Sequence, residues 1–282
     1  MALDVLLNKH CSAKMTSVKK KYQVVTWDER FELYPVADKI LCSAWSEFML
    51  NNQKVSDNWN TFVEEFKEIQ LMLMDGDEIQ VIINTQTIRI DVPLDKLPDE
   101  GWEWGFLKAI EDKQSGIKPN YLLGFQVVIA PKHQGKGLAQ AAVIEMKELS
   151  LRLGLEGVLI ALRPNKKEQF PLLPMADYLK CTLESGETYD PWLRIHERLG
   201  AEVIGICSRA YTVQGSINDW RSWTEQIFPC SGQYLIKGGL NPIQVNLEDD
   251  IGTYTEPNVW IVHRNTKAEQ VAAVQPLTGS VS

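Results

Sequence analysis

Apolar and polar residues recur along this chain with two periods, one typical of helices and one typical of strands. The clearest helical stripe has Leu138, Ala142, Met146, Leu149 and Leu153 on one face. Short apolar or alternating runs between the helical stretches predict strands. The predicted helices cover 35–50, 56–69, 103–112, 138–153 and 190–200, and the predicted strands lie within 69–90, 125–130, 157–162, 201–207, 233–238, 242–247 and 253–263.

Turn and capping residues mark several of these boundaries. Asp75-Gly76-Asp77 separates two strand patterns and is typical of a β-hairpin. Ser56 or Asp57 is the predicted N-cap of the second helix, and Asp190 is that of the helix that begins at Pro191. Hairpins come first, then strand, helix and strand, then more strands. This order predicts an α+β domain with a mixed, mostly antiparallel sheet flanked by helices.

Composition narrows the class of protein. The 282 residues are 44% hydrophobic and 23% charged, as in ordinary globular proteins, and the formal net charge is −8. Since Lys19–Lys21 is the one basic cluster, we expect no nucleic-acid partner. Apolar runs fall short of the roughly 20 residues of a spanning helix, which predicts no membrane partner. Five scattered cysteines without a C-x-x-C predict neither a disulfide framework nor a metal site, and favour a cytoplasmic location.

Loose composition at both ends predicts the domain boundaries. Residues 1–24 are expected to form a flexible N-terminal segment, and 25–264 a single domain. Residues 265–282 are small and polar, which predicts a disordered tail or linker.

A turn at 130–140, "APKHQGKGLAQ", has the composition of a phosphate-binding loop. It fails the P-loop pattern because Ala130 replaces the first glycine and Gly137 replaces the Ser or Thr. It fails the dinucleotide pattern because Gln140 stands at the third glycine. The pattern Q/R-x-x-G-x-G/A fits completely at Gln134, Gly137 and Ala139. Such a turn presents backbone N–H groups to an anion at a helix N-terminus.

This pattern resembles the motif of the GCN5-related N-acetyltransferase (GNAT) superfamily, in which the turn grips the pyrophosphate of coenzyme A. The resemblance implies a GNAT-like domain over 25–264 that binds acetyl- or malonyl-CoA as its substrate, without a metal. In that superfamily the strand before the turn pairs with the pantetheine arm. The residues implied to bind CoA are Val127, Val128, Ile129, Gln134, Gly135, Lys136, Gly137, Leu138 and Ala139.

The resemblance also implies a position for the acid that protonates the departing thiolate. Many GNAT enzymes carry Y-x-x-x-G-[FA] there, and "HERLGA" places His196 at the tyrosine. An imidazole with a pKa near 6.5 is able to donate or accept a proton near neutral pH. The alternative interpretation is that His196 caps or packs the helix.

The long segment 164–190 and the C-terminal half are similar to the GNAT-like loading domains of curacin-type polyketide synthases. That resemblance implies malonyl decarboxylation, transfer of the acyl group to an acyl carrier protein, or both. Arg163 and Asn165 would then orient an acyl carboxylate beside His196. An active-site threonine of that group has no clear counterpart, since the strand end is Ala161-Leu162. Candidate walls of an apolar funnel are Trp45, Trp59, Trp102, Trp104 and Trp192.

Three functions are therefore open from the sequence. The expected one is an acyltransferase, or malonyl-thioester decarboxylase, of polyketide-type initiation. The alternatives are an ordinary N-acetyltransferase that acts on a small amine, for which an acidic protein suits a cationic acceptor, and an inactive pseudo-GNAT scaffold.

Overall fold

The computed structural model describes residues 21–274. Its strands are β1 (Gln23–Thr26), β2 (Leu71–Asp75), β3 (Glu78–Ile88), β4 (Tyr121–Ile129), β5 (Gly157–Leu162), β6 (Glu202–Gly215), β7 (Gly232–Tyr234), β8 (Ile243–Asn246) and β9 (Ile251–Arg264). Its α-helices are α1 (Tyr34–Ser43), α2 (Gln53–Phe66), α3 (Gly101–Gln114), α4 (Leu138–Arg152), α5 (Met175–Tyr178), α6 (Pro191–Arg198), α7 (Ile217–Thr224) and α8 (Lys267–Val274).

All nine described strands form one sheet in the order β1-β2-β3-β4-β5-β9-β8-β7, and β6 also pairs with β9. Among the described strands, β4 and β5 are the only parallel neighbours, while the other neighbours are antiparallel. The predicted α+β fold with a mixed, mostly antiparallel sheet is confirmed. The predicted hairpin is also confirmed, with Gly76 at a φ of 58° between β2 and β3.

The parallel pair β4–β5 is short. Only Leu122 and Leu123 of β4 are in register with Val158 and Leu159 of β5. Beyond these residues the two strands diverge, and each keeps its other neighbour: β3 pairs with β4 as far as Ile129, and β5 pairs with β9 as far as Leu162. The divergence leaves a cleft between two adjacent strands at their C-terminal ends.

A second gap lies along β9. One edge of β9 pairs with β5 over 259–264 and with β8 over 251–253. Between these partners, residues 254–258 pair with β6 alone among the described strands. Pro257, which has no N–H to donate, falls in this interval. Because of this gap, side chains that follow the end of β5 are able to contact residues 254–258 of β9.

Helices cover both faces of the sheet. The core on one face joins α1, α2 and α3 to the strands through residues such as Phe62 and Phe106. The core on the other face joins α4 and α6 through residues such as Met146 and Leu193. A third cluster packs α7 against β6, β8 and β9 around Trp220. No helix among the described residues is long and apolar enough to cross a membrane.

Segment 164–190 is folded closely against the rest of the chain. Lys167 is fully buried, and its ammonium donates to the carbonyls of Phe170 and Leu240, at 2.8 Å each. Asp190 caps α6 as predicted, because its Oδ1 accepts from the N–H groups of Trp192 and Leu193. Its Oδ2 accepts from the hydroxyl of Tyr178 at 2.8 Å.

Several boundaries differ from the sequence predictions. The first helix ends at Ser43 instead of residue 50, and β7 ends at Tyr234 instead of residue 238. The N-cap of α2 is Asn52, four residues before the first predicted cap, Ser56, because the Asn52 side chain accepts from the N–H of Val55. Within the segment assigned to a disordered tail, α8 covers Lys267–Val274, and Asn265 donates to Ser150 Oγ and to the Leu155 carbonyl at 2.9 Å each. Residues 1–20 and 275–282 of the predicted terminal segments lie outside the described residues.

Candidate functional site

A cavity of about 850 Å³ occupies the cleft between the diverging strands. Phe125 to Ile129 of β4 form one wall, and Ile160 to Leu162 of β5 form the other. The opening continues to Gln134 at the start of the glycine turn. The cavity therefore connects the exposed edge of β4, which the sequence motif implies as a pantetheine site, with the turn implied to bind pyrophosphate.

The glycine turn has the backbone geometry of an anion site. Gly135 and Gly137 adopt φ values of 75° and 79°, which non-glycine residues rarely adopt. Gly137 is the N-cap of α4, so the first N–H groups of a 15-residue helix point out of its end. A Cβ added at either glycine would meet no atom within 4 Å, which leaves space in front of these amides. The turn therefore fits a phosphate or pyrophosphate group.

Side chains hold the turn against the β2–β3 hairpin. The Glu78 carboxylate forms an ion pair with the ammonium of Lys132 at 2.7 Å and also contacts Nε2 of His133. These two partners lower the pKa of the Glu78 carboxyl. The other ring nitrogen of His133 lies 3.4 Å from the ammonium of Lys136. Lys136 is thus positioned by a partner inside the turn.

Aromatic residues line the cavity on the side of α1, α2 and α3. Of the five predicted wall residues, Trp45, Trp59, Trp102 and Trp192 line the cavity. Trp104 instead packs edge-on against Trp260. Trp102 stacks on Phe125 with 4.2 Å between ring centroids, and its Nε1 donates to the Phe125 carbonyl. The apolar wall is therefore held by packing on the strand that borders the cleft.

A buried ion pair lies at the floor of the cavity, at the gap along β9. Arg163, the residue after β5, donates through Nε to both carboxylate oxygens of Glu256 at 3.0 Å. The hydroxyl of Tyr254 donates to Glu256 Oε2 at 2.7 Å, and Nη2 of Arg163 donates to the Gly238 carbonyl at 2.5 Å. Glu256 is 1% exposed, while the Arg163 side chain is 19% exposed. Both residues line the cavity.

The remaining charged groups of the cavity lining are acidic. Asp38 comes from α1, and Glu168 comes from segment 164–190. Asn165 is exposed and lines the same cavity, two residues from Arg163. The structure therefore brings the predicted Arg163 and Asn165 together with three carboxylates.

His196 is in a different environment from the predicted one. It is fully buried, and it does not line the cavity. Trp192, which does line the cavity, packs edge-on against it with 4.3 Å between ring centroids. Its Nδ1 lies 2.9 Å from Nε2 of His263 on β9. Burial and the neighbouring imidazole lower the pKa of His196 to about 3, and burial lowers that of His263 to about 4.

The pKa of His196 is therefore well below the expected value near 6.5, because the ring is buried. A neutral imidazole has no extra proton to donate near pH 7, and the cavity is lined by Trp192, which packs on His196, and not by His196 itself. The geometry favours the alternative interpretation, in which His196 packs the helix against β9.

The comparisons with known proteins agree with this architecture. No protein-family model matches the chain. An arginine N-acetyltransferase, avaD of Aspergillus versicolor, is 28% identical over 249 residues, which cover 79% of this chain and 86% of the relative. The loading GNATL domain of CurA from Lyngbya majuscula superposes with a TM-score of 0.52 at 16% identity, covering 87% of this chain and 98% of that domain. The chain has the GNAT fold.

The structure of a GNAT-like decarboxylase, GphF, in complex with isobutyryl-CoA has a TM-score of 0.45 and 14% identity over 87% of this chain and 99% of its own. The predicted resemblance to GNAT proteins, including the curacin-type loading domain, is confirmed at the level of the fold.

Sequence reasoning missed Glu256, which lines the cavity, and two residues that support its surroundings, Tyr254 and His263. Glu256 and Tyr254 lie in the polar first half of a predicted strand, and nothing local distinguishes them from residues at the surface of the sheet. The one signal was a glutamate beside Pro257 within a strand, since proline inside a strand marks an irregular pairing. His263 was missed because its partner is 67 residues away.

Proposed function

We propose that this chain is an acyl-CoA-dependent N-acyltransferase whose acceptor is a small cationic amine. The observation that carries the proposal is the charge of the cavity lining: three carboxylates, Asp38, Glu168 and Glu256, and one guanidinium, Arg163. A cavity with this excess of negative charge attracts cations and disfavours free anions. The arginine N-acetyltransferase among the similar proteins supports the same acceptor class.

Acyl-CoA is assigned to the side of the cleft that ends at the turn. The pyrophosphate would accept hydrogen bonds from the amides around Gly135 and Gly137, and Lys136 would add one positive charge. The pantetheine arm would lie along Val127 to Ile129, whose edge faces the cleft. The acyl group would then reach the point where β4 and β5 separate, between Phe125 and Ala161.

The acceptor would enter from the side of Asp38 and Glu168. A cationic amine first loses a proton to water in the cavity. Its nitrogen then attacks the thioester carbonyl, the C–N bond forms and the C–S bond breaks. The second nitrogen proton leaves to water, and the CoA thiolate leaves and is protonated by solvent. Holding both reactants in one cleft supplies most of the rate gain through orientation.

Binding of CoA by the turn is tested with Gly137→Val. A branched side chain at this positive φ would strain the turn and occupy the space in front of the amides, so calorimetry should show at least about a tenfold loss of acetyl-CoA affinity. Gly116→Val is the matched control, because Gly116 has a φ of 65°, open space around its Cβ position and no place in the cavity. Equal affinity in the two folded variants would contradict the assignment.

Amine acylation is tested by incubating the protein with acetyl-CoA and a panel of amines that includes L-arginine, L-lysine, agmatine and cadaverine. Release of free thiol gives the rate, and mass spectrometry identifies the acetylated product. We expect turnover with at least one cationic amine. Binding of acetyl-CoA without acylation of any amine would contradict the proposal while keeping the CoA site.

A second candidate function is malonyl decarboxylation with transfer to a carrier protein, and the Arg163 guanidinium in the cavity favours it because it could hold a malonyl carboxylate. In that reaction the carboxylate carbon separates as CO₂, and the resulting enolate takes a proton at carbon. Incubation with malonyl-CoA, with and without a carrier protein, tests it: acetyl-CoA or an acetylated carrier in the mass spectrum would favour this function over the first.

Two further expectations belong to the proposal. Residues 25–264 act as a single domain, and the compartment is the cytosol, where unpaired cysteines such as Cys42 and Cys230 stay reduced.

A further inference from the structure

Within residues 21–274, the Arg163–Glu256 pair has one donor group without a hydrogen-bond partner. Nε of Arg163 is used by Glu256, and Nη2 by the Gly238 carbonyl. Among the described residues no hydrogen-bond acceptor is recorded for Nη1, although the guanidinium lines the cavity. A guanidinium with a free N–H edge is suited to a carboxylate.

The partners of Arg163 fix its orientation before any ligand arrives. Glu256 and Gly238 hold two of its three nitrogens, and the Trp45 ring lies 5.8 Å from its guanidinium carbon. Glu256 is itself held by the Tyr254 hydroxyl, which also accepts from the N–H of Leu240 at 2.8 Å. A group positioned this firmly loses little conformational entropy on binding.

The charge of the pair selects among ligands. The pair is neutral as a whole, so a bare carboxylate bound there would leave one uncompensated negative charge, and a bare ammonium one uncompensated positive charge. An α-amino acid carries both groups on adjacent atoms. Its carboxylate on Arg163 and its ammonium on Glu256 would give four alternating charges with a sum of zero, which suits a poorly solvated site.

We infer that the Arg163–Glu256 pair binds the zwitterionic head group of an α-amino-acid acceptor. The inference rests on the proposed function and names its substrate class. The side chain of the acceptor then extends toward Asp38 and Glu168, which favours a basic amino acid. The α-amine, held beside Glu256 at the inner end of the cleft, is the nitrogen that is acylated after it loses its proton.

Matched substrates test the inference without any change to the protein. L-arginine and agmatine differ only in the α-carboxylate, as do L-lysine and cadaverine, and L-argininamide keeps the shape of arginine without the negative charge. We expect kcat/KM for L-arginine to exceed that for agmatine and for L-argininamide by about 10- to 100-fold, the usual value of a charge-assisted hydrogen bond. Fragmentation of the product should place the acetyl group on the α-nitrogen. Equal kcat/KM values within each pair, or acylation of the side chain alone, would overturn the inference.

Variants test which residues carry this preference. Arg163→Gln should reduce the ratio of kcat/KM for L-arginine over agmatine to about 1 and should leave acetyl-CoA affinity unchanged. Because this variant leaves Glu256 buried without its partner, the double variant Arg163→Gln/Glu256→Gln, which is neutral throughout, provides a second test. Arg209→Gln is the control, since Arg209 pairs with Asp99 and Glu100 on the surface. A ratio that persists in both cavity variants would overturn the inference.

The carboxylate on Arg163 could also come from the acyl donor. In that case calorimetry would show tighter binding of malonyl-CoA than of acetyl-CoA, Arg163→Gln would remove the difference, and agmatine would be acylated as well as arginine. That result would overturn the inference but keep the CoA site. If the natural protein binds no acyl-CoA at all, that result would instead contradict the proposed function.

Discussion

Two buried side-chain pairs each include one residue of β9, and these two residues, Glu256 and His263, are seven positions apart. The two pairs differ in their charge and in their hydrogen bonding. Glu256, near the middle of β9, meets Arg163 as an ion pair at the cavity. His263, at its end, meets His196 as two neutral rings away from the cavity. The first pair has hydrogen bonds from Tyr254 and to Gly238 as well. In the second, the outer ring nitrogens, His196 Nε2 and His263 Nδ1, have no partner among the described residues.

The difference shows two ways of placing ionisable groups in a protein interior. A charge is kept where an opposite charge and several hydrogen bonds replace water, and that arrangement can recognise a ligand. Where those partners are absent, the group gives up its charge, and burial of a neutral ring then contributes packing only. We therefore assign recognition to the first pair and structure to the second.

The largest expected effect is on stability, from breaking the charged pair. Glu256→Ala leaves Arg163 buried without a counter-charge, so we expect a loss of about 3–5 kcal/mol in the free energy of unfolding. Urea denaturation followed by circular dichroism measures it. Glu202→Ala, which removes an exposed partner of Arg264, is the control and should cost less than about 1 kcal/mol. Similar losses in the two variants would remove the distinction between the pair and a surface contact.

The neutral pair predicts how stability depends on pH. Both histidines have folded-state pKa values below the unfolded value of 6.5, so the unfolded chain binds more protons between about pH 4 and 6.5. Stability is then unaffected above about pH 7 and falls as the pH decreases through this window, by roughly 1 kcal/mol for each histidine at pH 5.5. Chemical denaturation at pH 7.5 and 5.5 measures the loss, and His196→Gln/His263→Gln should reduce it. If the double variant loses as much stability between pH 7.5 and 5.5 as the natural protein, then other titratable groups cause the loss.

The contacts just after the end of β9 are uncharged hydrogen bonds, so we expect them to contribute less to stability than the Arg163–Glu256 ion pair. Asn265, just after the strand, donates to Ser150 and Leu155, and Gln270 of α8 donates to Leu155 as well. Truncation after Arg264 should therefore lower the free energy of unfolding by about 1–3 kcal/mol, in contrast to the effect expected for a disordered tail. Truncation after Val274 is the control and should preserve the melting temperature. Equal melting temperatures for both truncations would show that α8 adds nothing to stability.

The smallest expected effect is on turnover, from changing His196. His196→Gln should keep acyl transfer within about threefold of the natural protein, because the side chain does not reach the cavity. A catalytic acid at this position would instead be worth about 10²–10⁴-fold. Initial rates at saturating acetyl-CoA, with the variant's folded fraction measured in parallel, distinguish the two. A large loss of turnover in a fully folded variant would show that His196 has a chemical role. The histidine pair would then not be purely structural.

The same comparison explains what could be predicted from the sequence. The glycine turn depends on residues that are close in sequence. The motif Gln134, Gly137 and Ala139 therefore predicted both the geometry of the turn and the fold of the domain. The position of His196 was also predictable from a local pattern. Its charge state was not, because burial is produced by Trp192 and by a strand 67 residues away. Arg163 was a candidate, yet its partner Glu256 lies 93 residues further along and has no local signature.

The central position of β9 has a consequence for how the chain is made. This strand pairs with β5, β6 and β8, yet it follows every other described strand along the sequence. During synthesis, β5 and β6 therefore emerge from the ribosome well before the strand that covers their edges. Unpaired apolar edges of this kind are prone to pair with other chains. We expect the nascent protein to depend on chaperones until residue 264 is free, and the floor of the cavity to be assembled last.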